Sequence, residues 1–222
     1  MSKVELPPSV LDCLKNEMQI EMEHFFNKYD SFDDSFKATA NRLLVDMLRV
    51  SKESSSFNED VSFYEDGTHE QNKFMDAMFD CFKLFNELQS NKIDLLKRMY
   101  KHHSRSEGYW FPVVVISKPL ASYLNEPSEF ILYRGCYLDE YNSKDFRQPW
   151  TSDLDTAKRF AFIYGDFDKS NRVVVKAKVK NTDIAWIVEI TTEHEIVLLP
   201  DFSPIENDIE LSYIQYCESK NQ

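Results

Sequence analysis

Apolar residues recur at helical spacing through roughly the first hundred residues of this 222-residue chain. The pattern predicts one helix from Pro8 to about Lys28, a second from about Asp33 to Val50, and a third from His69 to His102. Polar residues 86–91 mark a place where the third helix could break, and residues 51–67 are predicted to form a loop. The first half of the chain is therefore expected to be helical.

The second half, from Tyr109 onward, changes to short runs rich in β-branched residues, which are typical of strands. A helical turn is predicted from Pro119 to Leu124, a polar loop from Tyr137 to Arg147, and a helix from Asp153 to Tyr164. Strands are predicted at 111–116, 129–133, 173–179, 184–188, 195–199 and 209–216. The chain is thus expected to have the α+β class, with a helical region at 1–105 and a mixed region at 106–222.

The composition narrows the range of functions. A formal net charge of −12 argues against broad binding to nucleic-acid phosphates, which requires clustered Lys and Arg. Only four glycines occur, in no Gly-rich phosphate-binding pattern, so a bound nucleotide would have to be held by side chains. The four cysteines are far apart and lack metal-binding spacing, which indicates reduced, mostly buried thiols. With no long apolar stretch and no apolar leader, the chain is expected to be cytoplasmic, without a membrane partner, unless it is exported by a machinery that uses no such signal.

Three short segments in the second half carry candidate chemistry. In the first, an apolar strand runs into Arg134 and Gly135. An arginine at the end of a strand can direct its planar guanidinium toward a phosphate or a ribose. Taken alone, the same arrangement fits a surface arginine at a strand terminus, so its meaning depends on the other two segments.

The second segment is a hydroxyl-bearing turn, Trp150, Thr151 and Ser152, which leads into the helix predicted from Asp153. Ser152 or Asp153 suits the N-cap of that helix, and capping alone explains polar residues there. Thr151 is predicted to end the preceding strand and to offer its hydroxyl to a ligand. Thr151 and Ser152 both remain candidates for the ligand-facing hydroxyl.

The third segment places Glu193 and Glu195 before an apolar strand. On an extended backbone this spacing puts both carboxylates on one face and turns His194 away. Two adjacent carboxylates repel each other unless a cationic group lies between them. An acidic turn in solvent is the alternative, but the buried strand that follows is expected to fix both side chains at the end of the sheet.

In their order and spacing, these three segments resemble the Arg–Ser–Glu class of NAD-dependent mono-ADP-ribosyltransferases, in particular its bacterial and phage-encoded members. The resemblance covers about residues 109–216. It implies an ADP-ribosyltransferase-like mixed β-sandwich core, with the N-terminal helical region packed on it. It also implies NAD as co-substrate and no metal.

The resemblance also implies a role for each candidate residue. Arg134, with Gly135 beside it, would hold the diphosphate or the ribose, and Thr151 would take the place of the family's leading serine. Glu195 would contact the nicotinamide-side ribose, and Glu193 would orient the acceptor. Further candidates for the binding of NAD are Trp150, in the place of the family's aromatic residue, Ser152, Phe160 and Tyr164. Phe160 is predicted to face the core, whereas for Tyr164 core and ligand-stacking interpretations remain open.

A Glu-x-Glu pair in this family implies an arginine side chain of a protein as acceptor. Two alternatives stay open: a transferase of the same fold that modifies RNA or DNA, as in toxin–antitoxin or phage-defence systems, and a binding module without activity. The helical region could bind an antitoxin or another regulatory protein.

Overall fold

A computed structural model describes residues 5–49, 67–87, 92–102, 113–123, 126–165, 168–189 and 192–220. The chain divides into two compact units, Met1–Val115 and Ile116–Gln222. The described part of the first unit consists mainly of helices, and the second unit contains a six-stranded antiparallel sheet. The predicted α+β class is therefore confirmed.

The first predicted helix is interrupted. Helix α1 (Pro8–Asp12) continues into a π-helical turn, Cys13–Glu17, and α2 begins only at Met22 and ends at Tyr29. Between them Gln19 adopts a left-handed conformation (φ 56°), which a continuous α-helix does not contain. The Glu21 carboxylate then accepts hydrogen bonds from the first free amides of α2 and caps the new helix. The prediction of one helix from 8 to 28 was wrong because apolar periodicity does not report this break.

The other predicted helices of the first unit are present. Helix α3 spans Asp34–Arg49, and the Asp33 carboxylate accepts a hydrogen bond from the Phe36 amide at its start. The third predicted helix is two helices, α4 (His69–Glu87) and α5 (Lys92–Tyr100), divided at the polar stretch. The loop predicted at 51–67 lies outside the described residues apart from Gly67. The core of this unit contains large buried side chains that include Leu14, Met18, Phe25, Tyr29, Leu43, Leu44, Phe74, Met75, Met78, Phe82, Leu95 and Met99.

Two predictions between the helices and the sheet need correction. Within the described part of the predicted strand at 111–116, only Val114 makes a β-bridge, with Ile20 of the same unit. The predicted helical turn at 119–124 is a series of bends over its described residues. The Leu120 amide donates to the Ala185 carbonyl and the Tyr123 hydroxyl accepts from the Ile187 amide, so this segment lies along the outer strand of the sheet.

Six strands form the sheet, in the order β4-β5-β2-β1-β3-β6. Their bounds are β1 Glu129–Tyr137, β2 Pro149–Thr151, β3 Arg172–Lys180, β4 Ile184–Ile187, β5 Glu195–Leu198 and β6 Glu206–Ser212. Three helices accompany them: α6 (Leu138–Ser143), α7 (Leu154–Phe162) and α8 (Tyr213–Lys220). A 3₁₀ turn, Asn181–Asp183, joins β3 to β4.

Strand β1 is paired very differently on its two sides. Nine register pairs join it to β3, from Glu129 opposite Lys180 to Tyr137 opposite Arg172. A single register pair, Tyr133 opposite Thr151, joins it to β2. We call this weakly paired boundary between β1 and β2 the seam. It divides the sheet into a β1-β3-β6 part and a β2-β5-β4 part.

Each face of the sheet carries its own core. On one face the buried residues include Leu132, Cys136, Phe146, Trp150, Val175, Ile196 and Leu198. On the other face α7 covers β1 and β3, where Ala157, Ala161 and Phe162 pack with Val174. Alternation along β1 puts Arg134 on the side of Leu132 and Cys136, and Tyr133 on the side of α7.

The sheet unit also departs from several predicted boundaries. Strand β1 continues to Tyr137, so Arg134 lies inside the strand and not at its end. The predicted polar loop 137–147 contains α6, whose first turn carries Asp139 and Glu140 and whose C-cap is left-handed Lys144 (φ 59°). The predicted last strand, 209–216, is the end of β6 followed by the first residues of α8.

The cysteines behave as predicted. None of the four forms a disulfide bond, three of them are buried, and Cys217 is partly exposed. Burial raises the pKa of both Cys13 and Cys136 to about 12, so these thiols stay protonated near neutral pH.

Among the residues that the structure describes, none of the helices combines the length and apolar character needed to span a membrane.

Candidate active site

A cleft of two adjacent cavities opens at the seam. The inner cavity has a volume of about 140 Å³ and the outer one about 270 Å³. The inner cavity is lined by Tyr133, Arg134, Gly135, Pro149, Trp150, Thr151, Thr156, Ala157, Phe160, Glu193 and Glu195. The outer cavity shares Thr156, Phe160 and Glu193 with it and adds Arg159, Tyr164 and Thr192. Every predicted site residue except Ser152 lines one of the two cavities.

Arg134 borders the inner cavity but is engaged within the protein. Its Nε lies 2.6 Å from Oε1 of Glu140 and its Nη2 lies 3.3 Å from Oε2, a bidentate ion pair. Its Nη1 donates to the Pro149 carbonyl of β2 at 2.6 Å. Both side chains are mostly buried, with 12% of Arg134 and 15% of Glu140 exposed. Arg134 therefore links β1 to β2 across the seam, where backbone pairing is sparse.

Gly135 is required by packing. A Cβ on this residue would lie 2.6 Å from both the Ala157 carbonyl oxygen and the Ala161 amide nitrogen of α7. Such distances do not occur between real Cβ atoms and backbone atoms, so any side chain here would push α7 away from β1. The glycine thus sets how closely α7 approaches the floor of the inner cavity.

The two hydroxyl-bearing residues of this turn, Thr151 and Ser152, differ in their surroundings. Thr151 is buried, and its Oγ1 donates to the Glu193 carbonyl at 2.7 Å and accepts from the Asp153 amide at 3.0 Å. Ser152 is exposed, lines neither cavity, and donates its amide to the His194 carbonyl at 3.2 Å. The structure thus brings Thr151 to the cavity and leaves Ser152 outside it. The Thr151 hydroxyl also joins the turn before α7 to the turn that contains Glu193, which we call the acidic turn.

Trp150 is part of the core that floors the cleft. It is 2% exposed, its Nε1 donates to the Arg147 carbonyl at 3.1 Å, and its ring packs edge-to-face on Phe146 and Phe202. Its contribution to the inner cavity is therefore that of a fixed apolar wall.

Both glutamates line the inner cavity, although the backbone differs from the expected extended segment. Glu193 lies in an exposed turn and His194 is left-handed (φ 48°), a conformation that histidine tolerates better than most residues. Glu195 begins β5 and is half-buried opposite Thr151 of β2. The prediction that alternation along a strand would align the two carboxylates was wrong. The turn, held by Thr151, brings Glu193 and Glu195 to the same cavity.

Two aromatic side chains, Phe160 and Tyr164, also line the cleft. Phe160 is 40% exposed and lines both cavities, so the prediction that it faces the core was wrong. Phe162 occupies the core position on α7. Tyr164 is exposed in the outer cavity, with its ring 5.3 Å from that of Phe160 in an edge-to-face arrangement. Both rings are therefore accessible to a ligand.

Of the two predicted N-caps of α7, Asp153 is the one observed, but the polar chain that continues from it to Thr156 and Arg159 was not predicted. Asp153 caps the helix and accepts hydrogen bonds from the Thr156 amide at 2.8 Å and the Thr156 hydroxyl at 2.6 Å. The Thr156 Oγ1 in turn accepts from Nη2 of Arg159 at 2.6 Å. The bonds from Thr156, with the Arg159 guanidinium nearby, lower the pKa of Asp153. The i, i+3 spacing of these three residues on a predicted helix was the available signal.

Four other lining residues were not predicted as part of the site: Tyr133, Pro149, Ala157 and Thr192. Tyr133 faces α7 from the strand position before Arg134, and the alternation of β1 could have indicated this. Thr192 precedes the acidic turn and has no distinguishing sequence pattern.

Comparison of the chain with protein-family models, with curated proteins and with solved structures finds no match.

Proposed function

We propose that this chain is an NAD-dependent mono-ADP-ribosyltransferase whose active site is the cleft at the seam. The proposal rests on one observation. A buried hydroxyl (Thr151), two carboxylates (Glu193 and Glu195) and an exposed ring (Phe160), from separate parts of the chain, border a single cavity. The hydroxyl and the two carboxylates are among the residues that carry the resemblance to the Arg–Ser–Glu class. The proposal includes an ADP-ribosyltransferase-like core for the sheet unit.

The chemistry requires stabilisation of a cation. Cleavage of the bond between ribose C1′ and the nicotinamide nitrogen leaves an oxocarbenium-like sugar and neutral nicotinamide. In this proposal Glu195 contacts a hydroxyl of that ribose and stabilises the positive charge electrostatically. Phe160 also lines the inner cavity, where its ring can stack on the departing nicotinamide.

The acceptor is proposed to be an arginine side chain of a protein. A guanidinium nitrogen attacks C1′, nicotinamide leaves, and the proton lost by the guanidinium passes to Glu193 or to water. The products are ADP-ribosylarginine, nicotinamide and one proton, so atoms and charge balance. The exposed turn that holds Glu193 favours this role, because an acceptor from another molecule must reach the carboxylate.

Labelled NAD tests the proposal directly. The wild-type chain, Glu195→Gln and the matched control Glu218→Gln are incubated with a whole-cell lysate and NAD labelled in the adenylate part. Glu218 is exposed on α8 and lines neither cavity. Protein and nucleic acid are then separated before counting. We expect label in protein with the wild type and the control, and none with Glu195→Gln.

Other outcomes would change the proposal. Glutamate-dependent label in nucleic acid, removed by nuclease, would replace the acceptor by RNA or DNA. Equal labelling by Glu195→Gln would contradict the assignment of the catalytic glutamate. A wild-type chain that neither labels an acceptor nor binds NAD in calorimetry would point to a binding module without activity.

A further inference from the structure

The two arginines that border the cleft have different surroundings. Arg134 is 12% exposed and makes three hydrogen bonds within the sheet unit. Arg159 lies on α7, lines the outer cavity, and has 40% of its side chain exposed. Its one hydrogen bond described here, to Thr156, uses only part of its donor capacity. Arg159 therefore has more donor capacity than Arg134 to offer a ligand.

The outer cavity has a composition suited to a phosphate group. Thr192, the guanidinium of Arg159 and the rings of Phe160 and Tyr164 line it, beside Thr156, whose hydroxyl hydrogen is already donated to Asp153. The chain from Asp153 through the Thr156 hydroxyl to Arg159 holds the guanidinium at this position. Hydroxyl and guanidinium donors are the groups that bind phosphate oxygens in the absence of a Gly-rich loop.

Two carboxylates also lie close to this cavity. Oδ2 of Asp153 lies 3.9 Å from Nη2 of Arg159, and the same oxygen already accepts two hydrogen bonds from Thr156. Glu193 lies where the two cavities meet. An anion would therefore have to meet Arg159 on the side directed to solvent, away from Asp153, which its exposed fraction allows.

We propose that the outer cavity binds the diphosphate of a dinucleotide and that Arg159, not Arg134, is its ligand. The inference rests on the proposed function, because the dinucleotide is taken to be NAD. Each cavity is smaller than the roughly 300–1,000 Å³ of typical small-molecule sites, but the two share three lining residues. A ligand in two parts can span them, with nicotinamide and its ribose inside and the diphosphate outside. Arg134 then acts as a clamp across the seam.

Calorimetry with two probes separates these roles. ADP-ribose carries the diphosphate, whereas nicotinamide riboside carries none. The variants are Arg159→Ala, Arg159→Gln, which keeps a donor for the Thr156 hydroxyl, and Lys158→Ala as control. Lys158 is a neighbouring cation on α7 that pairs with Asp155 and lines neither cavity. We expect both Arg159 variants to weaken ADP-ribose binding by about ten-fold or more, the loss of one charge-assisted contact.

Nicotinamide riboside binding is expected to stay unchanged in all variants, and Lys158→Ala is expected to bind both probes like the wild type. Unchanged ADP-ribose affinity in Arg159→Ala and Arg159→Gln would overturn the assignment of Arg159 and leave the proposed function intact. Equal weakening of both probes would also overturn it, because it would indicate a general distortion of the cleft. A wild-type chain that binds neither probe nor NAD would overturn the proposed function and this inference together.

Discussion

Strand β1 contacts a neighbour on each side, and the two contacts are built from different groups. Toward β3, nine consecutive register pairs satisfy the backbone, and side chains are left to pack above and below the sheet. Toward β2, a single register pair is present, and the side chain of Arg134 adds a hydrogen bond to the Pro149 carbonyl of β2. The side without a continuous ladder is the side where the cavity lies.

This difference explains how a site can form in a sheet without Gly-rich loops. A complete ladder leaves little room for a ligand between strands, because neighbouring strands lie about 4.8 Å apart. Where the ladder stops, polar backbone groups must find other partners. Arg134 satisfies the Pro149 carbonyl and Thr151 satisfies the Glu193 carbonyl. Arg134 therefore closes the seam, Thr151 fixes the turn that precedes β5, and both side chains line the inner cavity.

The largest effect is expected from Arg134→Ala. The substitution leaves the mostly buried Glu140 carboxylate without its bidentate partner and removes the link to β2. We expect a loss of about 2–3 kcal/mol in the free energy of unfolding, somewhat below the value for a fully buried pair. Urea unfolding monitored by circular dichroism measures it.

The control for Arg134→Ala lies on the ladder side of β1. Lys178→Ala removes an ion pair with Glu129 whose two side chains are much more exposed. We expect little change in stability, because solvent screens such pairs. Equal destabilisation by both variants would contradict the account. It would show that Arg134 at the seam contributes no more to stability than an exposed ion pair on the ladder side.

Gly135→Ala is expected to have the next largest effect. The added Cβ meets backbone atoms of α7, which cannot move away without displacing the whole helix, and such overpacking costs about 1–3 kcal/mol. Because α7 carries Phe160 and Arg159, NAD binding should weaken as well. Gly67→Ala serves as control, since the atoms nearest to its added Cβ belong to the side chain of Asn72 and not to the backbone. Unaltered stability and NAD affinity in Gly135→Ala would contradict the close packing of α7 on β1.

Thr151→Val tests the link between the hydroxyl turn and the acidic turn. Valine keeps the shape but removes the bond to the Glu193 carbonyl and the acceptor for the Asp153 amide. We expect about 1 kcal/mol of destabilisation per lost bond and slower transfer from NAD, measured by urea unfolding and by labelled product. Thr151→Ser keeps the hydroxyl and should retain both properties. Equal transfer rates in the two variants would exclude a role for the hydroxyl.

The smallest expected effect concerns the pH dependence at the helix cap. The pKa of Asp153 is lower in the folded chain than in the unfolded one, because Thr156 donates to the carboxylate. Its contribution to stability is therefore complete above the unfolded pKa, about 3.9, and is lost as the pH falls through the lower folded value. Asp153→Asn can still cap α7 but cannot titrate there. Thermal unfolding from about pH 6 to 2.5 should show the wild type losing its advantage over Asp153→Asn below about pH 4. A constant difference would contradict this role.

The sequence predicted the elements better than it predicted their ends. Apolar periodicity located the helices of the first unit and most of the strands, because burial enforces it. It missed the break at Gln19 and the extension of β1 through Arg134 to Tyr137, which depend on backbone conformation and on pairing with β3. Residue types alone do not encode such pairing, since a partner strand many residues away determines it.

The candidate site was also predicted only in part. The residues that gather at the cleft were predicted from their order in the chain, but not their contacts. Glu140 and Arg159 were missed because their importance depends on the positions of α6 and α7 relative to the seam. Phe160 was predicted to face the core because it follows Ala157 at helical spacing, yet the helix ends at the cleft and leaves the ring exposed.

The most direct test of the central claim is the rate at which the purified chain releases nicotinamide from NAD without an added acceptor. The measurement compares the wild type with Glu195→Gln and Glu218→Gln, after circular dichroism has shown that all three are folded. We predict measurable release by the wild type and by Glu218→Gln, and a rate lower by about 10²–10³-fold for Glu195→Gln, the effect of removing one preorganised electrostatic contact. Equal rates for Glu195→Gln and the wild type would contradict the claim that the cleft at the seam cleaves NAD.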